Sequence, residues 1–231
     1  MRARRTAAVG AALRWSAHRF PFVSDEVAAL RAFVPAGSVC VDAGAEYGLY
    51  TWVPAALAGP SGRVHSVEPL PGPCHRLRVT GRLLGARNVT VRRATLGDRC
   101  GRGRLSLPVR RGLPVHGRAH LADGARGPGP DAEFRASRTV EAPVRTLDQL
   151  AHDSGPQRPG LRQGRRRRHR TRRAEGWFGH LRRHLAKYGV EPGEVLGRLR
   201  DFGYQPHRRP REGWVPVTHV TDDCRNYLFT A

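Results

Sequence analysis

The sequence has no uninterrupted apolar run of the length that a membrane-spanning helix needs, about 18 residues or more. It has no Cys-x-x-Cys pair either. Cys40, Cys74, Cys100 and Cys224 are widely scattered, which implies neither a zinc site nor a disulfide framework. Reduced thiols in a cytoplasmic protein are the plain reading, with no metal and no membrane partner. Two nucleotide fingerprints are also missing: no G-x-G-x-x-G occurs, and no Gly-Lys-Ser/Thr follows a glycine loop. Acidic residues are scarce, 19 against 41 basic ones, for a net charge of +22. Such an excess ordinarily points to an anionic partner such as nucleic acid. Its distribution matters more than its total, because nine arginines fall between Arg158 and Arg173. The amino end has the charged and apolar regions of a signal peptide. Its apolar centre is short, however, and Arg14 interrupts it.

At 231 residues the chain suits one domain with room for a sizeable core. Residues 1–24 read as a basic leader, helical or loose. Asp25 to Phe33 predicts a helix with Ser24 as N-cap and Val27, Leu30 and Phe33 or Val34 on its apolar face. Val39 to Thr51, V-C-V-D-A-G-A-E-Y-G-L-Y-T, carries the chemistry. A short apolar strand ends at Asp42, turns through Gly44 and Gly48, and enters a helix whose Pro54 fits only in a first turn. Gly44 lets the backbone turn sharply and approach a ligand. Asp42 stands at the strand's carboxyl end, where open α/β sheets bind ligands.

The pattern continues with a strand over Arg63 to Val67 ending at Glu68, a helix over Cys74 to Leu84, and a strand over Asn88 to Ala94 leading to Asp98. Gly101 to Glu141 reads as a β-hairpin and a long loop. Val144 to Leu150 starts another helix capped by Thr146. Alternation of this kind predicts an α/β fold, a parallel sheet with helices on both faces.

The unit strand-Asp-x-Gly-x-x-x-Gly resembles motif I of class I S-adenosylmethionine (SAM) methyltransferases. D-A-G-A-E-Y-G-L-Y-T, G-R-V-H-S-V-E-P, N-V-T-V-R-R-A-T-L-G-D and V-R-T-L-D-Q-L, in that order, resemble the FkbM family of these enzymes, as do R-H-L-A-K-Y-G-V-E-P and R-N-Y-L-F near the end. The resemblance covers roughly residues 30 to 150 and 183 to 231. It implies a Rossmann-like sheet, SAM as cofactor, and methylation of a hydroxyl on a small molecule or sugar. Glu68 then accepts the ribose hydroxyls, as a carboxylate does in dinucleotide sites. Asp42 orders the glycine loop near the methionine moiety, Glu46 faces the sulfonium-bearing tail, Gly44 and Gly48 shape the loop, and Asp98 reaches the adenine amino group or is simply a turn residue. An oxygen nucleophile benefits from a general base. His65, His116, His120, His152 and His184 are candidates, and nothing in the sequence ranks them.

After Leu150 the family expects a strand of the form D-F-x-K-x-D-V-E-G-x-E. The chain instead has G-L-R-Q-G-R-R-R-R-H-R-T-R-R-A-E-G from Gly160 to Gly176. One reading is an arginine arm for nucleic acid, since such runs neutralise phosphates. The run lacks interleaved aromatics and any recognised reading module, so a nucleic-acid partner is disfavoured. Another is a disordered basic loop. A third fits better. Read one nucleotide out of register from the second base of the Gly160 codon, the genetic code permits D-F-V-K-A-D-V-D-G-T-E-L-A-V-L-K. This supplies the missing motif in order. The expectation is a frameshifted segment within 151–183, irregular or weakly helical over 155–180. It leaves the central sheet incomplete ahead of a C-terminal part at 184–231, and an enzyme impaired as written or a non-catalytic relic. Translation of the gene in all frames tests this: one alternative frame yields the Lys-x-Asp-Val-x-Gly string, and its absence from every frame removes the explanation.

Overall fold

The computed structural model describes residues 2–19, 26–127, 133–134, 136–153, 176–179, 181–201, 203–209, 213–221 and 226–230. The chain divides into two compact units, residues 1–123 with 136–153, and residues 124–135 with 154–231. The first carries the glycine loop. It begins with helix α1 (Arg2–Arg19) and short α2 (Glu26–Ala29), which runs into a 3-10 turn at Leu30–Ala32. Residues 2–19 of the basic leader are therefore a helix. Its Thr6 and Gly10 are buried, and Leu13 packs against the core of Val27, Leu30 and Val53. The predicted cap Ser24 lies outside the described residues.

Strands β1 (Val39–Ala43), β2 (Arg63–Val67) and β3 (Val89–Arg92) form a parallel sheet in that order. Their crossovers are α3 (Leu49–Ala58) and α4 (Pro71–Leu84). Val64 to Val67 are buried on both faces, as a parallel strand demands. The register pairs Asp42 with Ser66 and Ser66 with Val91, so these share one face. That face meets α3 through Thr51 and α4 through Leu77. The opposite face carries Val67 and Arg92, and receives α5 (Leu147–Asp153) through Leu150 and an Arg92–Asp153 ion pair at 3.0 Å. Helices thus cover both faces of the sheet, and the α/β class is as expected.

Three local expectations change. Pro54 sits in the second turn of α3, not the first. A proline there removes one intrahelical hydrogen bond, and the burial of Thr51 to Ala55 outweighs that loss. The segment after β3 is richer in strand than a hairpin and loop. Two-residue β4 (Thr95–Leu96) pairs with β8 (Ala136–Arg145), which runs antiparallel to β5 (Gly101–Arg110). Short β6 (Leu113–Pro114) and β7 (His120–Leu121) also pair with β5, with a 3-10 turn at His116–Arg118 between them. Buried Ala142 and Val144 alternate with exposed Glu141 and Arg145, the period of a half-buried strand. Val144 therefore closes a strand. The helix starts at Leu147, with Thr146 Oγ1 accepting the Gln149 N–H at 3.1 Å as its cap.

Among the described residues no strand pairs with the outer edge of β1. Val39 and Val41 are 45% and 49% exposed, on the face that α5 covers further along the sheet. Parallel strands are ordinarily buried on both faces, so the described residues leave this side of the sheet without the fourth strand that is expected; residues 154–175 lie outside them.

In the second unit, β9 (Gly176–Gly179), β10 (Gln205–Arg208), β11 (Val215–Pro216) and β12 (Asn226–Thr230) form an antiparallel sheet in the order β11-β10-β12-β9. Helices α6 (Leu181–Tyr188) and α7 (Pro192–Asp201) contribute Leu185, Leu196 and Leu199 to a core around Tyr227. Residues 176–179 are therefore a strand where irregular chain was expected; two aromatic residues favour extended backbone there. The arginine run itself lies outside the described residues. No helix among the described residues is long and apolar enough to cross a membrane.

One polar residue fixes the end of α3. Asn88 donates from Nδ2 to the carbonyls of Ala55 and Gly59 at 2.8 and 2.9 Å. Replacing Asn88 with Ala leaves both acceptors unmatched. It should lower unfolding free energy by about 1–3 kcal/mol in urea titrations.

Candidate functional site

The loop from Gly44 to Gly48 turns through three left-handed residues, Gly44 (φ 75°), Glu46 (φ 45°) and Gly48 (φ 88°). The two glycines serve different ends. A Cβ at Gly48 would meet Trp52 Nε1 at 2.4 Å, so this position is set by packing. A Cβ at Gly44 would meet nothing within 4 Å, so this backbone faces open space at the end of β1. Glu46 has no such freedom, and a left-handed conformation is uncommon for it. Something must hold it there.

Glu68 does so. It follows β2 directly and is 4% exposed. Its Oε2 accepts the Glu46 N–H at 2.8 Å, and its Oε1 accepts the Leu70 N–H at 2.8 Å. Each oxygen keeps a further lone pair. Burial pushes the Glu68 carboxyl above the usual range, against the pull of those two hydrogen bonds. Of the loop's other donors, the Gly44 and Ala45 N–H groups both reach the Val67 carbonyl of β2, and the Gly48 N–H reaches the Ala45 carbonyl.

Asp42 lies beside this strap. Thr51 Oγ1 donates to Asp42 Oδ2 at 2.5 Å and lies 3.0 Å from Ser66 Oγ. The residue keeps partial exposure, yet protein crowds its carboxyl. Desolvation raises its pKa from 3.8 to about 6, with the Thr51 hydrogen bond opposing and the Glu68 charge adding.

A segment far along the chain closes over the loop. Tyr47 Oη lies 3.1 Å from His116 Nδ1, with the rings edge to face at 6.2 Å. The Arg76 guanidinium of α4 sits over the Tyr47 ring, 5.2 Å from its centre. A Cβ on Gly117 would lie 3.4 Å from Glu46 Oε2. The turn at His116–Arg118 therefore rests on both loop side chains.

Of the six residues marked out in the sequence, Asp42, Gly44, Glu46, Gly48 and Glu68 come together here. Asp98 does not join them through any contact. It stands in the turn between β4 and β5, its side chain 83% exposed and 3.6 Å from Arg99. Of the histidines, His65 is buried on the α5 face of β2, where burial, Arg92 and Arg63 hold its pKa below the usual value. His120 turns Nδ1 to the Arg118 carbonyl at 3.3 Å, and His152 is 86% exposed on α5. The His184 side chain is outside the described set. Tyr47, Arg76 and Thr51 escaped notice in the sequence; Thr51 alone had a signal, lying one strand-turn-helix step after Asp42. Among the described residues no group of His, Cys, Asp and Glu has the arrangement of a metal site. A cavity of about 460 Å³ at the carboxyl end of α4, lined by Leu77, Arg78, Arg82, Arg87, Val89 and Val91, includes none of the six.

No family model matches this chain, and no curated protein matches it. A solved structure of a SAM dependent methyltransferase from Aquifex aeolicus is similar over 30% of this chain and 38% of that one, at 22% identity and a TM-score of 0.29. The chain thus spans under half the length of that protein, and so loose a likeness carries no argument.

The Asp42 carboxyl binds its proton more tightly folded than unfolded. Its proton stabilises the fold, and that stability falls as pH rises from about 4 through about 6. Asp42→Asn keeps an acceptor for Thr51 and carries no charge. It should gain up to about 3 kcal/mol over the parent at pH 7 and lose the advantage below pH 4, as read by urea unfolding across pH.

Proposed function

We propose that this chain is a SAM-dependent methyltransferase of the FkbM type, acting on a hydroxyl of a small molecule or sugar. One observation carries the reading. A buried carboxylate at the carboxyl end of β2 braces a left-handed glycine loop at the end of β1, and the loop's Gly44 opens outward. That is the geometry a nucleoside cofactor requires at the carboxyl ends of a parallel sheet.

The residues fit the group. Glu68 retains lone pairs for two ribose hydroxyls after its backbone bonds are made. Gly44 admits close backbone approach. Asp42 and Glu68 are partly desolvated carboxyls, and a ligand bearing ammonium and sulfonium charges would favour their ionised forms. When bound, SAM supplies a methyl group on a sulfonium, a good leaving group. The protein's own task is mainly alignment. Thr51, itself 3.0 Å from Ser66, holds Asp42, Glu68 holds the loop, and the His116–Arg118 turn shields Glu46 and Tyr47 from one side. In this reading the frameshifted segment leaves one wall of the site unbuilt, since no described strand pairs with the outer edge of β1, and the chain as written binds weakly and turns over slowly.

An arginine-run nucleic-acid protein is the rival of another class, and no described residue favours it. Calorimetric titration separates the two. SAM should give a saturable heat with this chain and a larger affinity with a frame-restored version, whereas duplex DNA should give none at 150 mM salt. Glu68→Gln should weaken SAM at least about tenfold, having lost one charge-assisted acceptor. Tight, steeply salt-dependent DNA binding without SAM binding would reverse the assignment.

A further inference from the structure

We propose that His116 is the general base of the site, taking the hydroxyl proton of the methyl acceptor at Nε2. The inference rests on the methyltransferase reading and deepens it. Of the histidines whose side chains are described, His116 alone touches the glycine loop, through Tyr47. Its Nδ1 is engaged by that phenol, and its Nε2 has no hydrogen-bond partner among the described residues. With Nδ1–H donating to the Tyr47 oxygen, the lone pair falls on Nε2, the tautomer a base needs. The turn that carries it is held against the loop at a second point, where Gly117 comes close to the Glu46 carboxylate.

The surroundings suit a proton acceptor. Glu46 and Glu68 are the acidic groups on its loop side, and the Glu68 charge and His116 interact. Arg76 over Tyr47 and Arg118 on the same turn are the cations. In the step itself, the acceptor's O–H bond breaks, its electron pair stays on oxygen, and the proton moves to Nε2. That oxygen pair forms the bond to the methyl group that SAM would supply, the carbon–sulfur bond breaks with its electron pair left on sulfur as neutral S-adenosylhomocysteine, and water removes the proton from His116 afterwards. Tyr47 is a positioning residue, holding the imidazole ring through Nδ1 without meeting the acceptor.

A base within reach of the acceptor also lies within reach of the sulfonium, so the cation should expel protons from the imidazole. Calorimetry of SAM binding at pH 6.5 in buffers of different ionisation enthalpy counts the protons released. The parent chain should release more than His116→Gln, while Asp42 and Glu68 contribute equally to both. S-adenosylhomocysteine, a neutral thioether, should abolish the difference. Diethyl pyrocarbonate should acylate His116 in the free protein, and SAM should protect it at least about fivefold, a shielding that a residue outside the site would not feel. Tyr47→Phe, which keeps the ring beneath Arg76 and removes the hydroxyl from Nδ1, should alter the proton release, which guards against a misfolded His116 variant. Equal proton counts in parent and His116→Gln, with no protection, would overturn the role of His116 while leaving SAM binding intact. No SAM heat in the parent or the frame-restored chain would remove the underlying reading instead.

Discussion

The two hydrogen bonds accepted by Glu68 are the constraint on which the site depends. A buried carboxylate is costly unless its lone pairs are matched, and here backbone N–H groups on either side of it provide the match. One of those groups belongs to Glu46, a non-glycine residue in the left-handed region. Such a conformation persists only when its surroundings over-determine it. Glu68 therefore solves two problems with one contact. It satisfies its own charge, and it holds the loop in a shape that the local sequence does not prefer.

The remainder of the site is arranged around that strap. β1 and β2 lie side by side in register, so Asp42 and Ser66 share a face and Thr51 at the start of α3 reaches both. Gly48 is fixed from behind by Trp52 and Leu77, while Gly44 is left open in front. The loop is rigid where it meets the core and bare where it meets solvent. Closure from above comes from a different sheet, through a turn almost seventy residues further along the chain.

The elements read directly from sequence were those whose signals are local. β1, β2, α4 and the glycine turn announce themselves through apolar runs, Gly-Pro breaks and helix-stop glycines. β8 did not, because Ala136, Ala142 and Pro143 carry little strand signal, and its pairing with β5 spans the intervening loop. Position alone marked Glu68 as a ligand carboxylate, but its backbone partners needed the folded loop. Asp98 shows the limit of inference by order along the chain. The third strand ends at Arg92, the backbone then joins the second sheet, and Asp98 is carried into an exposed turn. The approach of His116 to Tyr47 depends wholly on tertiary closure, and no spacing rule encodes it.

The uncovered flank of β1 bears on how this protein behaves in concentrated solution. Among the described residues no strand pairs with the edge beside exposed Val39 and Val41, and an unpaired edge of that kind is a template for pairing with a second chain. Like charge opposes that encounter, for a net +22 keeps copies apart. The protection is ionic and short in range, reaching about 10 Å at 0.1 M salt and about 3 Å at 1 M. Salt therefore sets the distance over which that repulsion acts between two such edges.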